Sequence, residues 1–151
     1  MSSTDKLLNP VARAVLTDFQ PRFAPTSHVL WASDLGKGAA RDEKNPLAYV
    51  GPWALLLLDM PNFVIWDGVR DRLILVDVAQ IRGPMNRGRR ETLNRTFRRH
   101  GLSLFLVNAF KSRLECREYL IELPWQTTSW FAEEPDHLIH FNGERFLGPH
   151  D

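Results

Sequence analysis

The chain has 151 residues, of which 44% are hydrophobic and 25% charged, with a net charge of +1. That is the profile of one ordinary globular domain with enough length to bury a core. The longest apolar run, Trp53 to Leu58, is too short to span a bilayer, and the start of the chain lacks a basic stretch leading into an apolar one, so neither a membrane anchor nor a secretory signal is expected. Cys116 is the single cysteine, which excludes a disulfide framework and a cysteine metal site and fits a reducing cytoplasm.

In chain order, Asn9 and Pro10 read as an N-cap followed by proline at the first helical position. Val11, Ala14, Val15 and Phe19 share a face, so a helix is expected to about Phe19, ended by Pro21 and Pro25. His28 to Trp31 is a short strand. The stretch "ASDLGKGAARDEKNP" is polar and glycine-containing and reads as a loop, and Pro52 starts a short apolar helix stopped by Pro61. Phe63–Trp66 and Leu73–Val78 are strands joined through the Asp67-Gly68 turn. The second is apolar on both faces, as a central covered strand is. A helix follows from about Met85 to His100, with a thin stripe of Leu93 and Phe97 and Gly101 as its stop. Leu102–Val107 is another buried strand. Ser112 and Glu115 form a capping box for a helix to about Glu122. Short strands close the chain around Ser129–Phe131, Leu138–Phe141 and Arg145–Leu147. With no repeat and no linker, the order implies one α/β domain over residues 1–151, a central mixed sheet flanked by helices.

The small net charge hides an uneven distribution. Arg82, Arg87, Arg89, Arg90, Arg95, Arg98 and Arg99 follow closely with Glu91 as the only acid among them, while acids such as Glu133, Glu134 and Asp136 gather in the last third. Such a segment suits the phosphates of a nucleic acid; a solvated basic helix is the plain alternative. Asn62 and Asp77 stand at the ends of adjacent strands. Two acidic positions so placed can share one Mg²⁺, which would orient and activate a water against a phosphodiester. Here one of the two is an amide, and both residues also make sense as strand-end caps. His137 and His140 are three apart, which on a strand puts them on opposite faces and argues against zinc. Trp125 and Trp130 read as core or strand anchors rather than base-stacking platforms, and Cys116 sits on an expected helix without a basic neighbour that would clearly activate it, so a nucleophile role is not expected.

Several stretches then agree with one family. "WQTTSWFAEEPDHLIHFNG" is similar to W-E-T-E-V-W-(I/V)-A-x-x-P-x-H-(L/M)-I-H-F-N-G, "LFLVNAF" to a strand ending T-A-F, and "MPNFVIWD" to (L/M)-P-D-(V/I)-V-x-x-D. "LILVDVAQIRGPMNRGRR" resembles L-x-L-I-E-A-V-x-x-x-G-P-(I/M)-x-x-x-R, and "RFAPTSHVLWASDLGKG" resembles an upstream segment of the same set. These motifs, in order from Arg22 to Pro149, resemble the catalytic region of the BsuBI/PstI type II restriction endonucleases.

The resemblance implies a PD-(D/E)XK nuclease core, Mg²⁺ (or Mn²⁺) and DNA as substrate. It places Asn62 and Asp77 at the metal positions and puts Ala79 where a lysine usually helps position water. Gln80, or Lys37 together with Asp34 from the upstream loop, are the candidates to replace that lysine, with Asp34 a further metal ligand. Arg82, Arg87, Arg89, Arg90 and Arg98 are the candidate DNA contacts. The departures are Asn62 for aspartate, Asp77 for glutamate, and Gln126 and Thr128 for the acids of W-E-T-E. They leave three readings open: a weakened DNA endonuclease, a degenerate fold kept for DNA binding or interaction, and a partner-dependent phage-defence or toxin nuclease. The resemblance further implies a homodimer, a methyltransferase or specificity partner, no membrane association, a cytoplasmic location, and the absence of the DNA-recognition region that precedes the catalytic part in longer members.

Overall fold

The computed structural model describes residues 7–33, 60–97 and 102–144. The helix expected at Trp53–Leu58, the strand at Arg145–Leu147 and the Gly101 stop lie outside them.

The first helix begins as its cap predicts. The Asn9 side chain accepts from the backbone N–H groups of Val11 and Ala12, and α1 covers Pro10–Ala14. The helix does not stop at Pro21. A π-helical turn, Val15–Phe19, widens it before α2, Gln20–Phe23, so the chain passes Pro21 without a break. Val11, Val15 and Phe19 are buried along one side.

Six strands form one mixed sheet in the order of the chain: β1 (His28–Ala32), β2 (Phe63–Asp67), β3 (Arg72–Val78), β4 (Ser103–Phe110), β5 (Thr127–Phe131) and β6 (Leu138–Phe141). β3, β4 and β5 are parallel and the other neighbours antiparallel. Parallel neighbours need long crossovers. α3 (Ala79–Arg82) and α4 (Arg87–Phe97) supply the first, and α5 (Arg113–Arg117) the second. Because both crossovers step the same way across the sheet, the right-handed rule puts them on the same face.

Alternation along the strands divides the core accordingly. Phe63, Ile65, Ile74, Val76, Val78 and Trp130 pack under the N-terminal helix. Val64, Leu73, Leu75 and Leu106 pack with Leu93 and Phe97 of α4. A smaller cluster of Ala79, Phe110, Cys116, Leu123 and Phe131 lies near α5. β3 is buried on both faces, as its "LILV" composition implies.

A second helix also ends elsewhere than expected. The helix after Ser112 ends at Arg117, not near Glu122. Ser112 Oγ accepts from Glu115 N while the Glu115 carboxylate reaches Lys111 N, so the box is half formed; past the helix, Tyr119 N bonds Cys116 O and Leu120 N bonds Arg117 O, three residues back, as the chain tightens into turns. The helix after "RGP" is preceded by a separate turn of helix, α3. Among the described residues, no helix is long and apolar enough to cross a membrane.

Candidate active site

The sheet face toward α4 should be apolar, yet a polar row crosses it. Phe63 pairs with Val76, so the next position sets Asn62 opposite Asp77. Asp77 pairs with Asn108, and Asn108 with Ser129. All four are at most 1% exposed. Burial of so many polar groups is costly unless each is satisfied.

Asn62 is satisfied as an amide. Its Nδ2 donates to Ser33 O at 2.8 Å and its Oδ1 accepts from Val78 N at 2.8 Å. It thereby stitches the segment after β1 to the end of β3. A carboxylate in the same rotamer would keep the second bond but set an oxygen against the Ser33 carbonyl, acceptor against acceptor.

Asp77 is satisfied as an ion pair. Arg89 Nε lies 2.5 Å from Oδ2 and Nη2 3.0 Å from Oδ1, a bidentate fork. Arg82 Nη1 stands 3.6 Å from Oδ1 and also donates to Met60 O. The Asp77 side chain is 0% exposed, that of Arg82 7% and that of Arg89 14%. Burial pushes the Asp77 carboxyl up, and the bonds and charge of Arg89 with the backbone N–H of Asn62 pull against it. Burial, with the nearby charge of Arg89, lowers the Arg82 guanidinium to about 10.

Local structure explains why Arg89 arrives there. Gly83 takes φ +77, which lets the chain turn sharply out of α3 before Pro84. Met85 N then donates to the buried Asn108 Oδ1 at 2.7 Å. Asn86 caps α4, its Oδ1 accepting from Arg89 N at 2.9 Å. Arg89 therefore sits on the first turn of a helix anchored to the same polar row. The arginine that closes the pattern quoted above, L-x-L-I-E through G-P to R, falls on Arg89, and its acid falls on Asp77.

The remaining candidates separate. Gln80 is exposed and its amide is engaged elsewhere, donating to Glu115 Oε2 and accepting from Asn9 Nδ2. Arg87 is exposed and pairs with Glu91, and Arg90 donates to Trp125 O. Lys37, Asp34 and Arg98 lie outside the described residues. Gln126 has φ +63 and donates to Asn142 O, and Thr128 bonds His140, so both amide and hydroxyl tie β5 to the end of the sheet. Trp130 is core, as expected, but Trp125 is 61% exposed and is no core anchor. The Cys116 thiol is buried and pushed up by that burial, which agrees with an unreactive cysteine.

Mg²⁺ asks for several oxygen ligands in near-octahedral array. Among the described residues no three histidine, cysteine or acidic groups converge. The Asn62 carbonyl oxygen is already bonded to Val78 N, and both Asp77 oxygens are held by guanidinium. As arranged, Asn62 and Asp77 do not fit a divalent ion.

Comparison with known proteins agrees with the sheet and the motifs. Residues 4–144 match the BsuBI/PstI restriction endonuclease domain. The chain belongs to this family. It is 32% identical over 143 residues to the type II restriction enzyme BsuBI of Bacillus subtilis, covering 92% of this chain and 44% of that protein. It is 35% identical over 89 residues to the type II restriction enzyme AplI of Arthrospira platensis, covering 59% of this chain and 28% of that one. The structure of SdaI restriction endonuclease overlays with a TM-score of 0.74 and 34% identity, across 99% of this chain and 46% of SdaI. The α/β reading and the family resemblance are thus borne out. The chain spans less than half the length of BsuBI and SdaI. Within the BsuBI/PstI fold, what the sequence did not disclose is the Asp77–Arg89 pair and the exposed Trp125. The parallel register of β3 and β4, which would have exposed the polar row, is a tertiary fact.

Proposed function

We propose that this chain is the nuclease domain of a restriction-type DNA endonuclease, with the phosphodiester of DNA as its substrate and with cleavage weakened at Asn62. The observation that carries the reading is the placement of Asn62 opposite Asp77 at the ends of β2 and β3, in a chain of the BsuBI/PstI family. Restriction endonucleases act on DNA and generally use a divalent metal. Mg²⁺, or Mn²⁺ in its place, would supply water activation and charge stabilisation. The residues at the centre do not fit that ion as they stand, so no step is assigned to it.

What the chain's own residues offer is phosphate recognition. Arg82 and Arg89 are buried and committed to Asp77, so the charge open to a phosphate is that of Arg87 and Arg90 on α4. Asp77 and the Asn86 cap keep Arg89 oriented. Arg87 and Arg90 extend the basic surface along α4. Two-strand cleavage requires two centres, which supports a homodimer; a methyltransferase or specificity partner would belong to the same system.

A second reading is favoured by one observation: the Asn62 amide uses both its donor and its acceptor, as an aspartate could not. On that reading the domain binds DNA, or a protein partner, without cutting; a partner-dependent defence or toxin nuclease is a separate alternative that this observation does not favour. Supercoiled plasmid at low salt with Mg²⁺ or Mn²⁺ separates them. The endonuclease reading expects slow nicking by the chain, faster nicking by Asn62→Asp and none by Asp77→Asn. No nicking by the chain or by Asn62→Asp, with salt-sensitive DNA binding retained, supports the binding module. No DNA binding at all removes both.

A further inference from the structure

Next to the Asp77 centre lies a second feature that the proposed cleavage does not use. A cleft of about 830 Å³ opens between α4 and the turn segment that leads into β5. Arg87, Arg90, Ile121, Glu122 and Trp125 line it, with Phe141 from the end of β6. Its size is that of a small-ligand pocket. Two arginines and an open indole stand at its rim.

Trp125 is 61% exposed. It lies directly over Gly143, where a Cβ would come 2.7 Å from Trp125 Cγ. Gly143 has φ +76, and Gln126 beside the indole has φ +63 and bonds the backbone at Phe141 and Asn142. The indole therefore packs against Gly143 and is otherwise open to solvent, the placement of a stacking platform. Arg90 Nη1 donates to Trp125 O at 2.9 Å, so the platform is tied to α4. Arg90 Nε is buried and has no hydrogen-bond partner among the described residues. Arg87, one turn earlier, is exposed.

Arg89 and Arg90 are consecutive. The first reaches the buried Asp77 and the second the rim of the cleft. One helix turn thus connects the two features.

We infer that this cleft binds an unpaired nucleotide of a DNA strand, its base stacked on Trp125 and its phosphate on Arg87 and Arg90. The inference rests on the reading that the chain acts on DNA. The indole supplies a π-face that any base can use, and the arginines supply the charge complement to the backbone. Glu122 also lines the cleft and repels phosphate, which places the backbone on the α4 side and the base over the indole. Leu120 and Ile121, 53% and 100% exposed, would suit a protein surface instead, and a second copy of the chain is the competing occupant.

The test is fluorescence anisotropy in EDTA with a labelled single-stranded oligonucleotide and its duplex, over a salt series. The chain, Trp125→Ala, Trp125→Phe and Arg90→Ala are compared, each checked for an unchanged thermal transition. Trp125→Ala is expected to weaken single-strand binding by roughly tenfold, with the salt slope unchanged and the duplex affected less. Trp125→Phe keeps most of the affinity. Arg90→Ala lowers the single-strand salt slope by about 0.7. If the chain binds DNA and Trp125→Ala binds it equally well, this inference falls and the DNA reading stands. If the chain binds neither strand form, both fall. If Trp125→Ala abolishes self-association in sedimentation while DNA binding is intact, the cleft is an interface between copies and the inference is overturned.

Discussion

Arg89 lays its Nε and Nη2 against both carboxylate oxygens of Asp77, in a buried fork at the end of the central strand. Arg82 approaches the same carboxylate from α3. The pair is expected to be strongly coupled. Removing one partner of a buried ion pair leaves the other charge stranded and costs about 3–5 kcal/mol. Asp77→Ala and Arg89→Ala should each lower stability on that scale, and the double variant should cost clearly less than their sum. Urea unfolding of all four proteins checks this; additive effects would remove the pair as a structural unit.

Asn62→Asp is expected to destabilise the protein in the absence of metal. The new carboxylate would face the Ser33 carbonyl, where Nδ2 now donates, at a cost of about 1–3 kcal/mol. That unfavourable contact raises the carboxyl's folded-state pKa, so the penalty applies at neutral pH and fades as acid protonates it. Thermal melts at pH 7 and pH 4 measure it. A rise of the pH 7 transition with Mn²⁺ in the variant but not in the parent chain would mean that the added charge rebuilds a metal position.

Asp67 should govern acid stability. Burial alone would raise its carboxyl, but bonds from Thr26 and Arg72 and from Arg70 N, with the charge of Arg72, hold it at about 2 against an ordinary 3.8. The folded-state value is depressed, so the stability it contributes is present above about pH 4 and is lost as pH falls through about 2. Urea midpoints should fall across that window in the parent chain and change less in Asp67→Asn. Equal slopes in the two proteins would show that other carboxyls dominate.

Phe97 should anchor α4. It and Leu93 are the buried side chains of that helix, fully enclosed against Val64, Leu73, Leu75 and Leu106. Phe97→Ala is expected to cost about 3–5 kcal/mol by chemical denaturation. Because α4 holds Arg87, Arg89 and Arg90, DNA affinity should fall with it. Retained affinity in a destabilised variant would separate the basic surface from the packing of the helix.

Much of this was legible in the sequence. Asn9-Pro10 announced the first helix, Asp67-Gly68 the hairpin of β2 and β3, and the doubly apolar "LILV" the central strand. These signals are local: a cap, a turn and an alternation act over a few residues, so they survive without tertiary context. The family motifs likewise placed Asn62 and Asp77 together. Local signals also misled. Pro21 did not stop its helix because a π turn precedes it, and α5 did not run to Glu122 because the chain past Arg117 closes into tighter turns bonded three residues back.

By itself the sequence determined the order of the elements, the family and the missing charge at Asn62. The tertiary structure alone decided what that residue does. Strand register set Asn62, Asp77, Asn108 and Ser129 in one buried row, and α4 returned Arg89 across the sheet to meet Asp77. Packing likewise kept Trp130 inside and left Trp125 open over Gly143. The reason is physical. A residue's chemistry depends on which groups share its burial, and those groups come from strands and helices that only the folded sheet brings together.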